Sequence, residues 1–148
     1  MELEKELVVD KFDCLYEKTL VNIVFTYNCI NANLKKILDP FNITVQQYNI
    51  LRILRGHYKP ATVNLLKDKM LDKMSDTSRI VDRLLQKELV ERHICPNDRR
   101  AVDISITSKG LELLIEIESS YDPQKILQGK LLISEIEKLN QYLDQIRG

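Results

Sequence analysis

The sequence predicts a mainly α-helical chain with a single small β-hairpin, an α+β protein of 148 residues. Three observations lead there. Apolar residues recur at three- and four-residue spacing over most of the chain, the period of helices packed along one face. Strand-like alternation is confined to the stretch around residues 89–107. Four Gly, four Pro and no Trp are too few turn formers for an all-β fold. Hydrophobic residues at 44% and charged residues at 30% exclude disorder and collagen-like repeats. The length is enough to bury roughly two-thirds of the unfolded chain's surface, so folding requires neither disulfide nor metal. No run of 18 apolar residues exists to span a bilayer. The N-terminus, Met-Glu-Leu-Glu-Lys-Glu, is acidic where a signal peptide would be basic, so a cytoplasmic protein without membrane attachment is expected.

Tyr16, Leu20, Ile23, Tyr27, Ile30, Leu34, Ile37 and Phe41 are spaced 4-3-4-3-4-3-4 and predict a long first helix. Val21, Val24, Phe25 and Leu38 widen its apolar stripe beyond one seam, and Asp39-Pro40 stops it. Thr44-Val45-Gln46-Gln47 reads as a capping box opening a short helix through Tyr48, Leu51, Ile53 and Leu54, which Gly56 can close. After Lys59-Pro60, Thr62 can cap a second short helix with Val63, Leu65, Leu66 and Met70. A break at Leu71 to Met74 precedes Ser75, read as the cap of a third helix extending to Lys87. That helix turns Ile80, Val81, Leu84 and Leu85 inward and leaves Asp76, Ser78, Arg79, Asp82 and Arg83 for other faces.

Leu89 to Cys95 and Val102 to Thr107 read as paired strands, with Val102, Ile104 and Ile106 on one face. Their connection, Pro96-Asn97-Asp98-Arg99-Arg100-Ala101, is a turn bearing two adjacent arginines. A further helix carries Leu111, Leu114, Ile115 and Ile117 until Tyr121-Asp122-Pro123 interrupts it. The last helix places Leu132, Ile136, Leu139, Leu143 and Ile146 at the spacing 4-3-4-3.

Cys14, Cys29 and Cys95 are far apart, with no Cys-x-x-Cys, and His57 and His93 add no zinc-like spacing; buried free thiols and no metal or cofactor are expected. The glycines stand alone, so no loop cradles phosphate, and no histidine motif suggests a nucleophile–base pair; the chain does not read as an enzyme. His57 and Tyr58 read as a packed loop, and Arg92 as the partner of its neighbour Glu91.

Net charge is zero, but it is unevenly placed. Residues 50–110 hold thirteen Lys or Arg against eight Asp or Glu, while both ends are acidic. A basic middle flanked by acidic ends points to an anionic partner for that middle. Two short helices, a capped third helix and a hairpin form a winged helix-turn-helix. Such a third helix fits a major groove about 12 Å wide, with polar residues of its first turn facing base edges. A hairpin tip bearing arginines suits the narrow, electronegative minor groove.

Ser78-Arg79-Ile80-Val81-Asp82-Arg83-Leu84, Leu89-Val90-Glu91-Arg92, Pro96-Asn97-Asp98-Arg99-Arg100 and Thr107-Ser108-Lys109-Gly110, in this order, resemble the MarR family of bacterial transcription regulators. Phe41-Asn42-Ile43-Thr44-Val45-Gln46-Gln47-Tyr48 looks like that family's entry into its second helix. The resemblance covers about residues 16–148 and is specific over 42–110. It implies one domain over residues 1–148, with a DNA-binding lobe at 42–110 and dimerisation helices at 12–41 and 111–148. It also implies a homodimeric, ligand-relieved repressor on pseudo-palindromic double-stranded DNA. Ser75, Asp76, Thr77, Ser78, Arg79, Arg83, Arg99 and Arg100 are the expected DNA contacts, and Asp98 the residue that holds the wing. Tyr16, Leu20, Ile23, Leu132, Ile136, Leu139, Leu143 and Ile146 are the expected dimerisation residues. A small aromatic or phenolic effector is implied, with Phe25, Tyr27 or Tyr48 as a possible wall and His57 or an Arg as anion partner. The family's peroxide-sensing branch has a cysteine whose place falls near Leu20 here; Cys14 lies well upstream, so redox sensing is not carried over.

The same fold can serve as a protein-interaction module without DNA. An apolar or acidic wing tip would favour that use, and Arg99-Arg100 favours DNA.

Overall fold

The computed structural model describes residues 3–7, 11–94 and 102–148. It divides into two compact units, Met1–Ile117 and Glu118–Gly148. The first contains α1 (Leu3–Leu7), α2 (Leu15–Leu38), α3 (Val45–His57), β1 (Ala61–Thr62), α4 (Val63–Lys69), α5 (Thr77–Gln86), β2 (Val90–Ile94), β3 (Val102–Ile106) and most of α6 (Ser108–Ser120). The second contains α7 (Gln124–Leu127) and α8 (Ile133–Arg147).

The stripe on α2 divides along its length. At the C-terminal end Leu38 is fully buried, and Leu34 and Phe41 pack beside it against the core. Nearer the N-terminus Leu15, Tyr16, Leu20, Val24, Tyr27 and Ile30 are exposed, Leu20 at 60%. Leaving so much apolar surface in water forgoes roughly 25 cal/mol for every Å² that could be covered. Pro40 converts the end of the helix into a 3-10 turn, Asp39–Phe41, and Asn42 leaves it in the left-handed conformation at φ 54°. The α3 capping box forms as its sequence suggests: Gln47 N donates to Thr44 Oγ1 at 3.2 Å, and Thr44 N to Gln47 Oε1 at 3.1 Å.

Four local readings are corrected. Helix α3 does not stop at Gly56; it runs to His57, and Tyr58 takes the left-handed cap at φ 56°. The stop comes from Pro60, which disfavours helical backbone at Lys59. Tyr58 is 90% exposed, so it is not a packed loop residue. Ser75 does not cap α5, because Asp72 takes its hydroxyl at 2.7 Å. Asp76 caps instead, its Oδ1 accepting from Arg79 N at 3.2 Å. Cys14 and Cys29 are exposed rather than buried: one precedes α2 and the other lies outside its apolar stripe. Cys95 falls outside the described residues.

The hairpin belongs to a three-stranded antiparallel sheet of order β1-β3-β2. Val90 pairs with Ile106 and Arg92 with Ile104, while Ala61 covers the other edge of Ile104. Ile104 is fully buried and joins Leu51, Leu66, Val81, Leu84 and Leu114 in the core. Gly110 sits under the sheet, where an added Cβ would lie 2.3 Å from Leu89 O. Thr107 holds this junction, its hydroxyl donating to Glu88 O at 2.8 Å and accepting from Gly110 N at 3.1 Å.

In the second unit, Asp122 Oδ1 accepts from Gln124 N at 2.9 Å as α7 begins. Glu135 Oε2 accepts from Leu132 N at 2.7 Å and ties the entry of α8. Along α8, Leu139, Tyr142 and Ile146 are exposed, as is Leu132 just before it, while Ile136 and Leu143 are half-buried.

Candidate nucleic-acid interface

The outward side of α5 follows from its amphipathic spacing. Val81 and Leu84 anchor one side in the core. Ser78, Arg79, Asp82 and Arg83 are exposed, as is Asp76 at the cap. Ser75, half-buried, stands just before them. Thr77 is a correction: it is 3% exposed, and its Oγ1 has no hydrogen-bond partner among the described residues. One residue past the cap, the helical period turns it inward, so it cannot share the polar face.

The approach to α5 is a fixed turn. Asp72 accepts from Met74 N at 3.0 Å as well as from the Ser75 hydroxyl. These bonds, Ser75 first, hold the Asp72 carboxyl below the usual carboxylate range. The entrance to α5 is therefore preformed, with the Asp76 carboxylate on the Arg79 amide and the Arg79 and Arg83 side chains exposed beyond it.

Behind α5 the wing root is braced. Arg92 on β2 pairs with Asp82 on α5, not with Glu91, because neighbouring strand residues point to opposite faces. Glu91 instead lies 3.3 Å from His93 Nε2, and that nitrogen is also 2.6 Å from Ser105 Oγ. The serine and the carboxylate meet the same ring nitrogen. A nucleophile–base–carboxylate relay needs the carboxylate on the opposite nitrogen, so this cluster lacks relay geometry. Asp98, Arg99 and Arg100 lie outside the described residues.

The aromatic residues considered for an effector wall do not converge. Tyr48 is buried in the core with the Arg52 guanidinium over its ring, Tyr27 is exposed, and Phe25 lines a shallow apolar groove with Leu7 and Leu20. His57, at the end of α3, is exposed. The larger cationic recess lies elsewhere. It is a half-open cleft of about 590 Å³ whose lining includes Lys35, Arg83 and Lys87. Sequence reasoning missed it because its members come from three elements distant in the chain.

Residues 43–102 match the family model of the MarR family. The chain is 33% identical over 117 residues to an uncharacterized HTH-type transcriptional regulator, YhbI, of Bacillus subtilis, covering 78% of this chain and 72% of that one. It is 30% identical over 115 residues to the multiple antibiotic resistance protein MarR of Salmonella typhimurium, covering 76% of this chain and 79% of that one. The chain belongs to the MarR family. As a MarR-family chain it is a transcriptional regulator, and the solved structures agree in fold. A mutant MarR from Escherichia coli complexed with operator DNA superposes with TM-score 0.74 at 24% identity, over 99% of both chains. An organohalide-sensing regulator in its 2,4-dichlorophenol-bound form superposes with TM-score 0.80 at 18% identity, over 90% of this chain and 80% of that one. Among the described residues, no helix is long and apolar enough to cross a membrane.

Proposed function

We propose that this MarR-family chain is a homodimeric, sequence-specific double-stranded DNA-binding regulator that represses until a small aromatic or phenolic effector releases it. The observation that carries this reading is the two-sided α5: a core-anchored apolar face opposite exposed Ser78, Arg79 and Arg83, entered through a capped turn. Residues 42–110 form the DNA-binding lobe in this account, with α5 in the major groove and Arg100 in the minor groove. Residues 12–41 and 111–148 supply the dimer interface. The uncovered residues of α2 and the exposed row along α8 support that assignment, since each needs an apolar partner. A two-fold dimer then requires a pseudo-palindromic site with half-sites about one helical turn apart.

Membership in a family of regulators supports a non-enzymatic role in the cytoplasm. The dichlorophenol-bound neighbour supports the effector class. Release requires the effector to bind the DNA-incompetent arrangement more tightly, by about 5.5 kcal/mol for a full reversal of populations. The test is operator binding by Arg79→Ala and Arg100→Ala, with phenols and aromatic carboxylates titrated into the wild-type complex. Arg100→Ala is expected to lower the salt slope by about 1, and Arg79→Ala to change base preference. Unchanged affinity and preference in both variants would overturn the interface. A panel that leaves operator affinity untouched would overturn the effector class.

A further inference from the structure

A hydrogen-bonded side chain links the C-terminal end of α5 to the α2–α3 junction. Lys87 Nζ donates to the Asn42 carbonyl and, at 3.3 Å, to Gln47 Oε1. Both acceptors are themselves fixed. Asn42 sits in the left-handed conformation, with its N–H donating to Asp39 O at 3.0 Å. Gln47 is 2% exposed, and the same Oε1 closes the capping box with Thr44 N. The ammonium therefore joins three things: the end of α5, the first turn of α3 and the 3-10 turn that leaves α2. Burial lowers the Lys87 pKa, and the neighbouring Arg83 charge lowers it further. A partly desolvated cation with charge-assisted bonds to ordered acceptors makes a stiff link.

We propose that Lys87 is a positioning residue for operator recognition, setting where α5 stands relative to the end of α2 without itself touching DNA. The inference rests on the DNA-binding reading above. Geometry separates Lys87 from its neighbours: Arg83, one turn earlier, is exposed, while the Lys87 ammonium is directed at protein acceptors. Without that link, α5 keeps its core contacts through Val81 and Leu84 but loses the tether at its far end. A small rotation there moves Ser78 and Arg79 away from the base edges they would read, and recognition depends steeply on such placement.

The experiment uses the full chain and a duplex selected by the wild type from a random pool. Lys87→Met retains the length of the stem and removes the donor; Lys87→Arg restores a cation with donors. Operator affinity is measured at several salt concentrations, beside the melting temperature. Lys87→Met is expected to weaken affinity about tenfold with the wild-type salt slope, and Lys87→Arg to recover most of the loss. Gln47→Leu should weaken binding as well, and Lys87→Met should cost less in that background than alone, because the two share one bond. A slope lower by about 1 in Lys87→Met would make Lys87 a phosphate contact and overturn the proposal. Wild-type affinity in Lys87→Met, whatever its melting temperature, would also overturn it. If Lys87→Met does not fold, Lys87→Arg with an affinity no better than that of Lys87→Gln would count against the link. Should the wild type enrich no duplex, the DNA-binding reading falls and takes this proposal with it; an enriched duplex bound equally by Lys87→Met removes the Lys87 assignment alone.

Discussion

Arg92 on the first strand of the wing donates through Nη2 to Asp82 Oδ1 on the outward side of α5, across a separation of ten residues. Both side chains are about half exposed, so the pair adds little to stability. Its consequence is directional: it sets the root of the hairpin against α5. Arg92→Met is expected to change unfolding free energy by less than about 1 kcal/mol while weakening operator binding several-fold. Asp82→Asn should do the same, with the double variant no worse than either single one. Urea unfolding and operator titration on the same preparations check this, and strictly additive losses in binding would show that the two residues act separately.

Gly110 tests the junction beneath the wing. Its position allows no Cβ, with Leu89 O at 2.3 Å and Ile106 Cγ1 at 2.8 Å from where one would stand. Gly110→Ala must displace backbone rather than a flexible side-chain end, and a loss of about 1–3 kcal/mol is expected in urea unfolding. An unchanged midpoint would mean that α6 does not press on Leu89 in solution.

Glu88 offers the opposite change. It holds φ 61°, a conformation that costs a side-chain-bearing residue roughly 1–2 kcal/mol. It is highly exposed, and its carboxylate bonds Lys109 at 2.8 Å. Glu88→Gly is expected to raise the melting temperature by about 4 °C. The Lys109 hydrogen bond holds the Glu88 carboxyl below its ordinary pKa. Its contribution is therefore complete above the unfolded carboxylate pKa and is lost as pH falls through the folded value. The advantage of glycine should widen on acidification. Melting curves at neutral and acidic pH check both statements, and a less stable Glu88→Gly at neutral pH would show that the ion pair outweighs the strain.

The exposed apolar rows make a claim about assembly. Replacing Leu139 and Leu143 by Asp, or Leu20 by Asp, should give a monomer or an unfolded chain that has lost operator binding. Sedimentation at micromolar concentration checks it. A wild type that sediments as a monomer would contradict the dimer.

Much of this fold is legible from the sequence because its signals are local. The Thr44–Gln47 box, the cap at Thr62, the alternation through Ile104 and the stop at Asp39-Pro40 each act within a few residues. Errors arose where a short-range competitor decided the outcome. Asp72 captured Ser75 and moved the cap to Asp76, and α3 ran past Gly56 to the stop that Pro60 sets. Strand β1, two residues long, and helix α1, five residues long, are too short to show a period. At the candidate interface, the helical period identified exposed Arg79 and Arg83; it also puts Thr77, four residues before Val81, on the buried side, which the polarity of threonine concealed. The links of Lys87 to Asn42 and of Arg92 to Asp82 are tertiary, and nothing in the spacing of those residues announces them.

The central claim is that the polar side of α5, with the wing, reads duplex DNA as a symmetric dimer. Selection of duplexes by the purified wild-type chain from a random pool tests it most directly. The account predicts an enriched pseudo-palindrome whose half-sites lie about one helical turn apart, with affinity that falls steeply with salt. No enrichment at low salt, or an enriched single half-site bound as tightly as the full palindrome, would contradict it.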